Sequence, residues 1–524
     1  MAANVLVDLT TPNGIRYRQP LGLFINNEFV ESKSGETFPT IDPATEEEIA
    51  RVHAAGINDV EDAVRAARQA FEGAWSDVEG KDRSRLLYKL ADLVEENAQV
   101  LAAIESWDNA GKPYSTALLE DIPEVIDVFR YYAGWADKSY GQVIQTRGTQ
   151  LNYTVPEPVG VCGQIIPWNY PIVMASWKLA PAIAAGNTVI LKVSEQTPLS
   201  ALFLASLVAP AGFPPGVINI INGFGPVAGS ALASHTNVDK IAFTGSTQTG
   251  KEIMKLASSN LKSVTLETGG KSPLMIFNDA DLHAAVGAAY PGIMANAGQN
   301  CSANSRVLVQ EDIYDRFLKL FKSKAVSDTT IGDPFDQDTS QGPQITRMQF
   351  DRILSYIQSG KDEGAKLVHG GKAYKNLNGK GFYLEPTIFS HVTPQMRIYR
   401  EEIFGPVVVI LPFKSEDEVV KMANDTEFGL AAAIFTRDIS RAHRITRKIK
   451  AGILAVASML TRKQAVWINN SQTVDPRIPF GGFKQSGIGQ EQGEAGIKAY
   501  TNYKTVVVDL APEGHSQTSL EPKL

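Results

Sequence analysis

Apolar and polar residues follow a helical period in the first part of this chain. Residues 60–73 carry apolar side chains at helical spacing and end at Gly73, which predicts an amphipathic helix, and 83–104 repeats the pattern over a greater length. Residues 140–158 are strand-like, but they end in prolines and have little apolar face. We therefore expect 140–158 to pair outside the first domain.

From residue 159 the pattern changes to short apolar runs separated by helical segments. The runs that predict strands are 159–167, 188–192, 218–221 and 240–244. Strands that alternate with helices form a parallel sheet with right-handed crossovers, which binds ligands at the carboxyl ends of its strands. The alternation resumes over 274–482 and predicts a second α/β unit. A last strand is expected over 500–510, and the tail from Ala511 has a composition typical of disorder.

Length and composition limit the class of protein. A chain of 524 residues is too long for one hydrophobic core, so we expect two or three domains. With 44% hydrophobic and 20% charged residues it has the composition of a soluble α/β enzyme. Its net charge of −7 argues against nucleic acid or a membrane as a partner.

Cysteine usage and the chain ends suggest a compartment. Two cysteines cannot form a disulfide framework, and no Cys/His cluster has zinc spacing, so we expect a reducing compartment and no metal. The first twenty residues lack the long apolar run of a signal peptide, which makes a cytoplasmic location the default. The terminal Pro522-Lys523-Leu524 is close to the peroxisomal Ser-Lys-Leu, but its proline leaves that address weakly supported.

The second cysteine, Cys301, lies among small and amide residues in the stretch 296–306. Such neighbours leave backbone N–H groups and solvent within reach of the thiol, so a nucleophile and an ordinary loop cysteine are about equally good interpretations. Upstream, Glu267 ends a short apolar run before two glycines, and a carboxylate near a thiol can serve as a base. The first cysteine, Cys162, lies inside an apolar run that predicts core packing.

Together these motifs resemble the NAD(P)-dependent aldehyde dehydrogenase superfamily. The motifs are Leu-Glu-Thr-Gly-Gly-Lys-Ser-Pro at 266–273 and Gly-Gln-Asn-Cys at 298–301. The resemblance runs from about residue 20 to about residue 508, and Thr268 stands where the family more often has Leu. It implies oxidation of an aldehyde to a carboxylic acid with NAD as the hydride acceptor, through a cysteine thiohemiacetal and thioester.

The resemblance also implies an α/β architecture with three regions. These are a Rossmann-like NAD-binding domain, a second α/β catalytic domain and a small β oligomerisation arm. The expected ranges are 1–139 and 159–270 for NAD binding, 271–482 for catalysis, 140–158 and 483–510 for oligomerisation, and 511–524 for the tail. A homodimer or homotetramer is expected, in which 140–158 and 500–510 share a sheet across subunits.

One segment departs from the family pattern. Between Gly452 and Val466, where relatives typically have a single residue, the chain carries a thirteen-residue insertion, 453–465. Lengthening a loop costs only about 0.6 kcal/mol per doubling, so the fold can tolerate it. We expect a peripheral excursion; an added subunit contact and a faulty gene model are the alternatives.

The catalytic roles follow from the resemblance. Cys301 is the implied nucleophile, and Glu267 is the base that activates water for thioester hydrolysis. Asn169 is the implied donor to the oxyanion, beside the backbone N–H of Cys301, although a capping Asn is the alternative. Lys178 and Glu491 form the implied proton relay.

The loop 243–251 closes a strand and opens a helix, where a phosphate can bind. Gly-x-x-x-x-Gly-Lys is most of a P-loop, which would indicate a nucleotide triphosphatase, but Glu252 stands where that motif needs Ser or Thr. A purely structural turn is the other alternative. The resemblance assigns the loop to the pyrophosphate of NAD, with Ser246 at the phosphate.

Lys192 and Glu195 leave the predicted sheet three residues apart. A surface ion pair of this kind would mean little. The resemblance places them at the adenosine ribose, where Glu195 would repel a 2′-phosphate and so favour NAD over NADP. The other implied cofactor contacts are Ile165, Trp168, Gly225, Gly229, Phe243, Gly245, Gly269, Gln349, Glu402 and Phe404.

The resemblance implies that the walls of the substrate tunnel include Tyr170, Trp177 and Phe480. Without the resemblance, we would predict that these three are core residues. Under the resemblance, the partner is a small-molecule aldehyde.

Two rivals remain: a P-loop phosphotransferase, which Glu252 disfavours, and a catalytically silent relative, which would typically have lost Cys301 or Glu267, whereas this chain has both. A cysteine hydrolase is a third and weaker alternative. The nearest histidine in sequence to Cys301, His283, lies in a helix-like run, which disfavours the hydrolase.

Overall fold

A computed structural model describes residues 5–109, 111–375, 379–457, 472 and 475–510. The predicted α/β class is confirmed, because two large sheets of mainly parallel strands are each packed between helices. The predicted tail from Ala511 lies outside the described residues. No helix among the described residues is both long and apolar enough to cross a lipid bilayer.

The first large sheet has eight strands, and its centre is the predicted parallel arrangement. In spatial order the strands are Gly487–Ile488, Ser263–Glu267, Lys240–Thr244, Val161–Ile165, Thr188–Lys192, Ile218–Ile221, Leu23–Ile25 and Glu28–Val30. The five strands between 161 and 267 run parallel. Helices cover both faces, which is why these strands read as continuous apolar runs.

The register of this sheet brings distant residues to one edge. Ile165 pairs with both Lys192 and Phe243, and Thr244 pairs with Glu267. Because these residues end parallel strands, their side chains and the loops that follow meet at the carboxyl edge of the sheet.

The second large sheet has seven strands and lies within 271–457. In spatial order they are Lys366–His369, Thr387–Ser390, Val407–Phe413, Arg306–Gln310, Pro273–Ile276, Ala431–Phe435 and Ile453–Ala457. The first pair is antiparallel and the others are parallel.

Three small sheets complete the strands. A three-stranded sheet is formed by Thr501–Asp509, Gln150–Pro158 and Val143–Ile144, and the hairpins are Leu6–Thr10 with Arg16–Pro20 and Thr37–Ile41 with Glu48–His53. The predicted strand segments 140–158 and 500–510 therefore pair with each other within the chain.

The helices fill the connections between strands. In chain order they are Ile57–Glu72, Gly80–Glu96, Ala98–Asn109, Tyr114–Thr116, Ile122–Ala133, Pro171–Ala184, Leu199–Ala205, Val208–Ala211, Ser230–Ser234, Thr247–Ala257, Leu282–Ala289, Pro291–Met294, Tyr314–Ser327, Arg347–Asp362, Arg397–Arg400, Glu416–Asn424, Ile439–Thr446 and Gly493–Lys498. The single pattern over 83–104 is split at Asn97. The Asn97 side-chain amide donates to the Leu93 carbonyl at 2.8 Å and so ends the first helix.

The prediction of a peripheral excursion at 453–465 is wrong for its first five residues. Ile453–Ala457 forms the edge strand of the second sheet and pairs along its length with Ala431–Phe435. An apolar run beside an otherwise unpaired strand gains backbone hydrogen bonds by joining the sheet, which a loop would forgo. Residues 458–465 lie outside the described residues.

Candidate active site

A cavity of about 710 Å³ opens where the carboxyl edge of the first sheet meets the second α/β unit. Most of the predicted site residues line it. These are Glu267, Cys301, Asn169 and Glu491; Trp168, Gly245, Ser246, Gly269, Gln349, Glu402 and Phe404; and Tyr170, Trp177 and Phe480. Those that do not line it are Lys178, Ile165, Lys192, Glu195, Gly225, Gly229 and Phe243.

The loop that carries Cys301 follows a strained turn. Asn296 and Ala297 have φ values of 51° and 53°, a region that non-glycine residues seldom occupy. Gly298 also has positive φ, and a Cβ there would collide with the Gly405 carbonyl. Strain of this kind is held only where the surrounding contacts fix the backbone, so the position of Cys301 is fixed by the turn before it.

Asn169 is held against this loop on two sides. Its side-chain amide donates to the Gln299 carbonyl at 3.0 Å. Its own carbonyl accepts from the side-chain amides of Asn109 and Asn296, at 3.0 and 2.8 Å. The amide of Asn169 is therefore positioned next to the residue that precedes Asn300 and Cys301.

The two sequence motifs meet in space. A Cβ at Gly270 would collide with the Cys301 carbonyl oxygen, so the loop after Glu267 lies directly against the cysteine. Cys301 is partly exposed, whereas Cys162 is fully buried, as predicted for core packing. Burial, Glu402 and Glu267 raise the pKa of the Cys301 thiol to about 12, so the resting side chain is the neutral thiol.

Glu267 ends its strand inside the cavity wall with only 3% of its surface exposed. Neither of its carboxylate oxygens has a hydrogen-bond partner within the described structure. Burial, reinforced by Glu491, raises the pKa of Glu267 well above its usual range. A buried, unpartnered carboxylate facing a cavity is available to a ligand or to water.

Lys178 lies behind the cavity and connects to it through Glu491. Its ammonium donates to Glu491 and, at 2.6 Å, to the Thr244 hydroxyl. The second Glu491 oxygen has no partner in the described structure. The predicted Lys178–Glu491 pairing is therefore present as a buried ion pair.

The predicted ribose residues are also paired. The Lys192 ammonium donates to Glu195 at 2.9 Å from the strand end beside Ile165. Burial opposes ionisation of Glu195, but Lys192 and backbone N–H groups outweigh it and hold its pKa below the usual value. The pair therefore presents an ionised carboxylate at the sheet edge.

The glycine-rich turns leave room for a dinucleotide. A Cβ built at Gly225 or Gly229 would meet nothing within 4 Å. Ser246 caps the helix Thr247–Ala257 by accepting from the Thr249 N–H at 3.1 Å, which leaves other N–H groups of the first turn without helical partners. Open glycines, a helix N-terminus and an ionised carboxylate at one sheet edge fit a pyrophosphate and a ribose.

On the opposite wall, Glu402 and Phe404 occupy a second constrained turn. Phe404 has φ of 60° and packs edge to face on Trp168 with ring centroids 5.3 Å apart. Glu402 accepts from the Gly270 N–H at 2.9 Å, and burial raises its pKa to about 7. Gln349 donates to the Phe404 carbonyl at 2.8 Å, so in this structure it supports the turn.

The aromatic residues predicted for the substrate tunnel form its outer wall. Trp177 and Phe480 pack edge to face at 5.0 Å, and the Lys112 ammonium lies 4.0 Å from the centre of the Tyr170 ring. Trp177 also donates its indole N–H to Glu124 at 2.9 Å.

Among the cavity residues that were not assigned from sequence, Gln472 and Glu124 bind other residues of the cavity wall. Gln472 accepts from the Asn300 amide and the Ser302 hydroxyl at 3.1 and 2.6 Å, and donates to the Ser302 carbonyl at 2.9 Å. For Glu124, the helical spacing of its neighbouring acids was a usable signal. Gln472 follows no motif, and its partners lie about 170 residues away.

Comparisons with known proteins agree with this geometry. A model of the aldehyde dehydrogenase family matches residues 29–506. An aldehyde dehydrogenase of Aspergillus niger is 50% identical over 96% of this chain and 98% of its own length. Retinal dehydrogenase 2 of Homo sapiens is 51% identical over 97% of this chain and 95% of its own. The structure of an NAD⁺ complex of Bacillus cereus aldehyde dehydrogenase superposes with a TM-score of 0.90 at 47% identity, covering 94% of this chain and 97% of that one.

Proposed function

Because the chain belongs to the aldehyde dehydrogenase family, we propose that Cys301, Glu267 and Asn169 carry out its reaction in the cavity described above. The protein is an NAD-dependent oxidoreductase that converts an aldehyde to a carboxylic acid through a cysteine adduct. The observation that supports the residue assignment is a thiol and an unpartnered buried carboxylate on adjoining loops of one cavity.

The first step forms a bond between Cys301 Sγ and the carbonyl carbon. The thiol proton is released to solvent through the open cavity, and the carbonyl oxygen becomes an oxyanion that accepts hydrogen bonds from the Asn169 amide and the Cys301 N–H. When bound, NAD would supply the acceptor for the hydride that leaves the tetrahedral carbon, and the thioester would remain on Cys301.

In the second step Glu267 takes a proton from water, which attacks the thioester carbon. The C–S bond breaks, the carboxylic acid leaves and Cys301 recovers its proton. Glu267 is suited to this role because burial has raised its pKa, which makes its carboxylate a stronger base than an exposed one. The ion pair of Lys178 and Glu491 lies behind it and can carry the proton onward.

The cofactor contacts are proposed on the same basis. Lys192 and Glu195 would hold the hydroxyls of the adenosine ribose, and the first turn of Thr247–Ala257, with Gly225 and Gly229, would hold the pyrophosphate. Glu402 and Phe404 would contact the nicotinamide end. The remaining contacts keep their predicted roles: Ile165, Trp168, Phe243, Gly245, Ser246, Gly269 and Gln349.

Removing the charge of Glu195 should weaken the preference for NAD. In Glu195→Gln, the kcat/KM ratio of NAD to NADP is expected to fall about tenfold, because repulsion of the 2′-phosphate is relieved. Steady-state kinetics with both cofactors measure the ratio. A wild-type enzyme that already favours NADP would contradict the assignment.

Gln472 is proposed as a positioning residue that fixes the nucleophile loop through Asn300 and Ser302. In Gln472→Ala the loop loses these bonds, so kcat and the rate of Cys301 alkylation by iodoacetamide should both fall about tenfold. Gln358→Ala, which removes an exposed amide from a surface helix, is the matched control. Unchanged kcat and alkylation in Gln472→Ala would show that these bonds do not position the thiol.

A homodimer or homotetramer is proposed from the three-stranded sheet. Its outer surface exposes apolar residues that solvent alone would not favour, including Val143 at 77% and Val507 at 60%. Cytoplasmic location remains the proposal for the compartment.

The proposed function is tested by NADH absorbance with a panel of aliphatic, aromatic and charged aldehydes. We expect NAD-dependent oxidation of the aldehyde to the acid. NADH formation that leaves Cys301 unmodified at every stage would refute the proposed mechanism.

A further inference from the structure

The outer end of the cavity carries a concentration of negative charge. Nine charged side chains line the cavity, and eight of them are carboxylates, with Arg352 as the one cation among the described lining residues. Three of the carboxylates, Glu120, Glu124 and Asp127, follow the spacing i, i+4 and i+7 along the helical stretch that ends in Ile122–Ala133. They therefore share the face that lines the cavity, and we refer to them as the acidic row.

The acidic row lacks ion-pair partners of its own. Nearby Asp121 is paired with Lys112, and Asp475 with Arg477. Within the described residues, none of Glu120, Glu124 and Asp127 forms an ion pair with Lys or Arg. Arg477 is close enough to interact with Asp127, but its guanidinium is bound to Asp475. The row thus keeps negative charge that a ligand can neutralise.

The carboxylates of the acidic row repel one another. Like charges at i and i+4 of a helix repel each other. Burial and then Asp121 raise the pKa of Glu124 to about 7, and the same two causes raise the pKa of Glu120. Lys112 offsets part of both shifts but does not reverse them, so a cation bound beside the row would further stabilise the ionised carboxylates.

Aromatic side chains accompany the row. Trp177 donates to Glu124 at 2.9 Å and packs edge to face on Phe480, so a carboxylate and two rings are fixed at one place on the wall. Aromatic faces next to carboxylates suit ammonium groups, which bind through both Coulomb and cation–π attraction. At the inner end, the buried and unpartnered Glu267 independently marks the cavity as a site for a ligand.

We propose that this enzyme selects aldehydes that carry a positive charge, as a protonated amine or a quaternary ammonium group, at the end remote from the carbonyl. The proposal rests on the proposed function, because it requires the carbonyl to be at Cys301. The acidic row and its aromatic neighbours then hold the cation at the mouth while the aldehyde reaches the thiol.

The test compares three aldehydes that differ in charge, of which the cation and the neutral aldehyde are matched in shape. 4-(Trimethylammonio)butanal is the cation, 5,5-dimethylhexanal is its neutral isostere, and 4-oxobutanoate is an anion. The wild-type kcat/KM is expected to favour the cation over the isostere about tenfold at low salt, with the anion poorest. Added salt should reduce the preference, because the mouth is open to solvent.

In the triple variant Glu120→Gln, Glu124→Gln and Asp127→Asn, the ratio of kcat/KM for the cationic aldehyde to kcat/KM for the neutral one should fall about tenfold. Glu96→Gln, which removes an exposed carboxylate from the neighbouring helix Gly80–Glu96, should leave the ratio unchanged. A wild-type ratio at or below one, or a ratio that the triple variant does not alter, would overturn the proposal. Failure of all three aldehydes would count against the proposed function itself, whereas oxidation without preference for the cation would reject the charge selection alone.

Discussion

Replacing Cys301 with alanine should abolish aldehyde oxidation, with a loss of at least about 10³-fold in kcat. Without the thiol no tetrahedral adduct forms, and hydride cannot leave a planar aldehyde carbon. The cofactor residues are untouched, so binding of NAD should persist. Turnover by NADH absorbance and NAD binding by calorimetry measure the two effects.

The matched control is the other cysteine. Cys162 is fully buried in the strand Val161–Ile165, away from the cavity lining, so Cys162→Ala should keep its activity while losing a little stability to the lost packing. Near-normal turnover in Cys301→Ala, or loss of turnover in Cys162→Ala with the fold intact, would reject Cys301 as the nucleophile.

The second large effect is expected at Glu267. Glu267→Gln keeps the shape of the side chain and removes the base, so thioester hydrolysis should slow by about 10²- to 10⁴-fold. If acylation persists, a burst of NADH that matches the enzyme concentration should precede a slow steady rate. Stopped-flow absorbance separates the two phases.

Chemical rescue and pH distinguish the role of Glu267 from a structural one. Hydroxylamine attacks a thioester without help from a base and should restore turnover in Glu267→Gln. In the wild type, the rate should fall as pH drops through the raised pKa of Glu267, because the protonated acid cannot accept a proton. Absence of rescue together with an unaltered pH profile in the variant would remove Glu267 from this role.

Much of the first sheet could be predicted from sequence, for a physical reason. Thr188–Lys192 and Lys240–Thr244 are short, fully buried runs bounded by turns, and their length and spacing between helices favour parallel strands covered on both faces. Once those strands are in place, the rule that ligands bind at carboxyl ends points to Lys192 and the loop after Thr244. Local pattern was sufficient there.

The parts that escaped prediction depend on contacts between distant segments. Ile453–Ala457 was expected to be peripheral because its apolar run carries no information about the free edge beside Ala431–Phe435. Gln472 binds Ser302 across about 170 residues. The bond from Trp177 to Glu124 likewise depends on two helices packing together. Such pairings follow from the tertiary fold, which periodicity does not specify.

The most direct test of the central claim is peptide mass spectrometry of Glu267→Gln after brief mixing with NAD and an aldehyde, quenched in acid. The mechanism predicts that the acyl group of the substrate is attached to the peptide that contains Cys301, in an amount equal to the NADH burst. An adduct on another residue, or a burst of NADH with Cys301 unmodified, would contradict it.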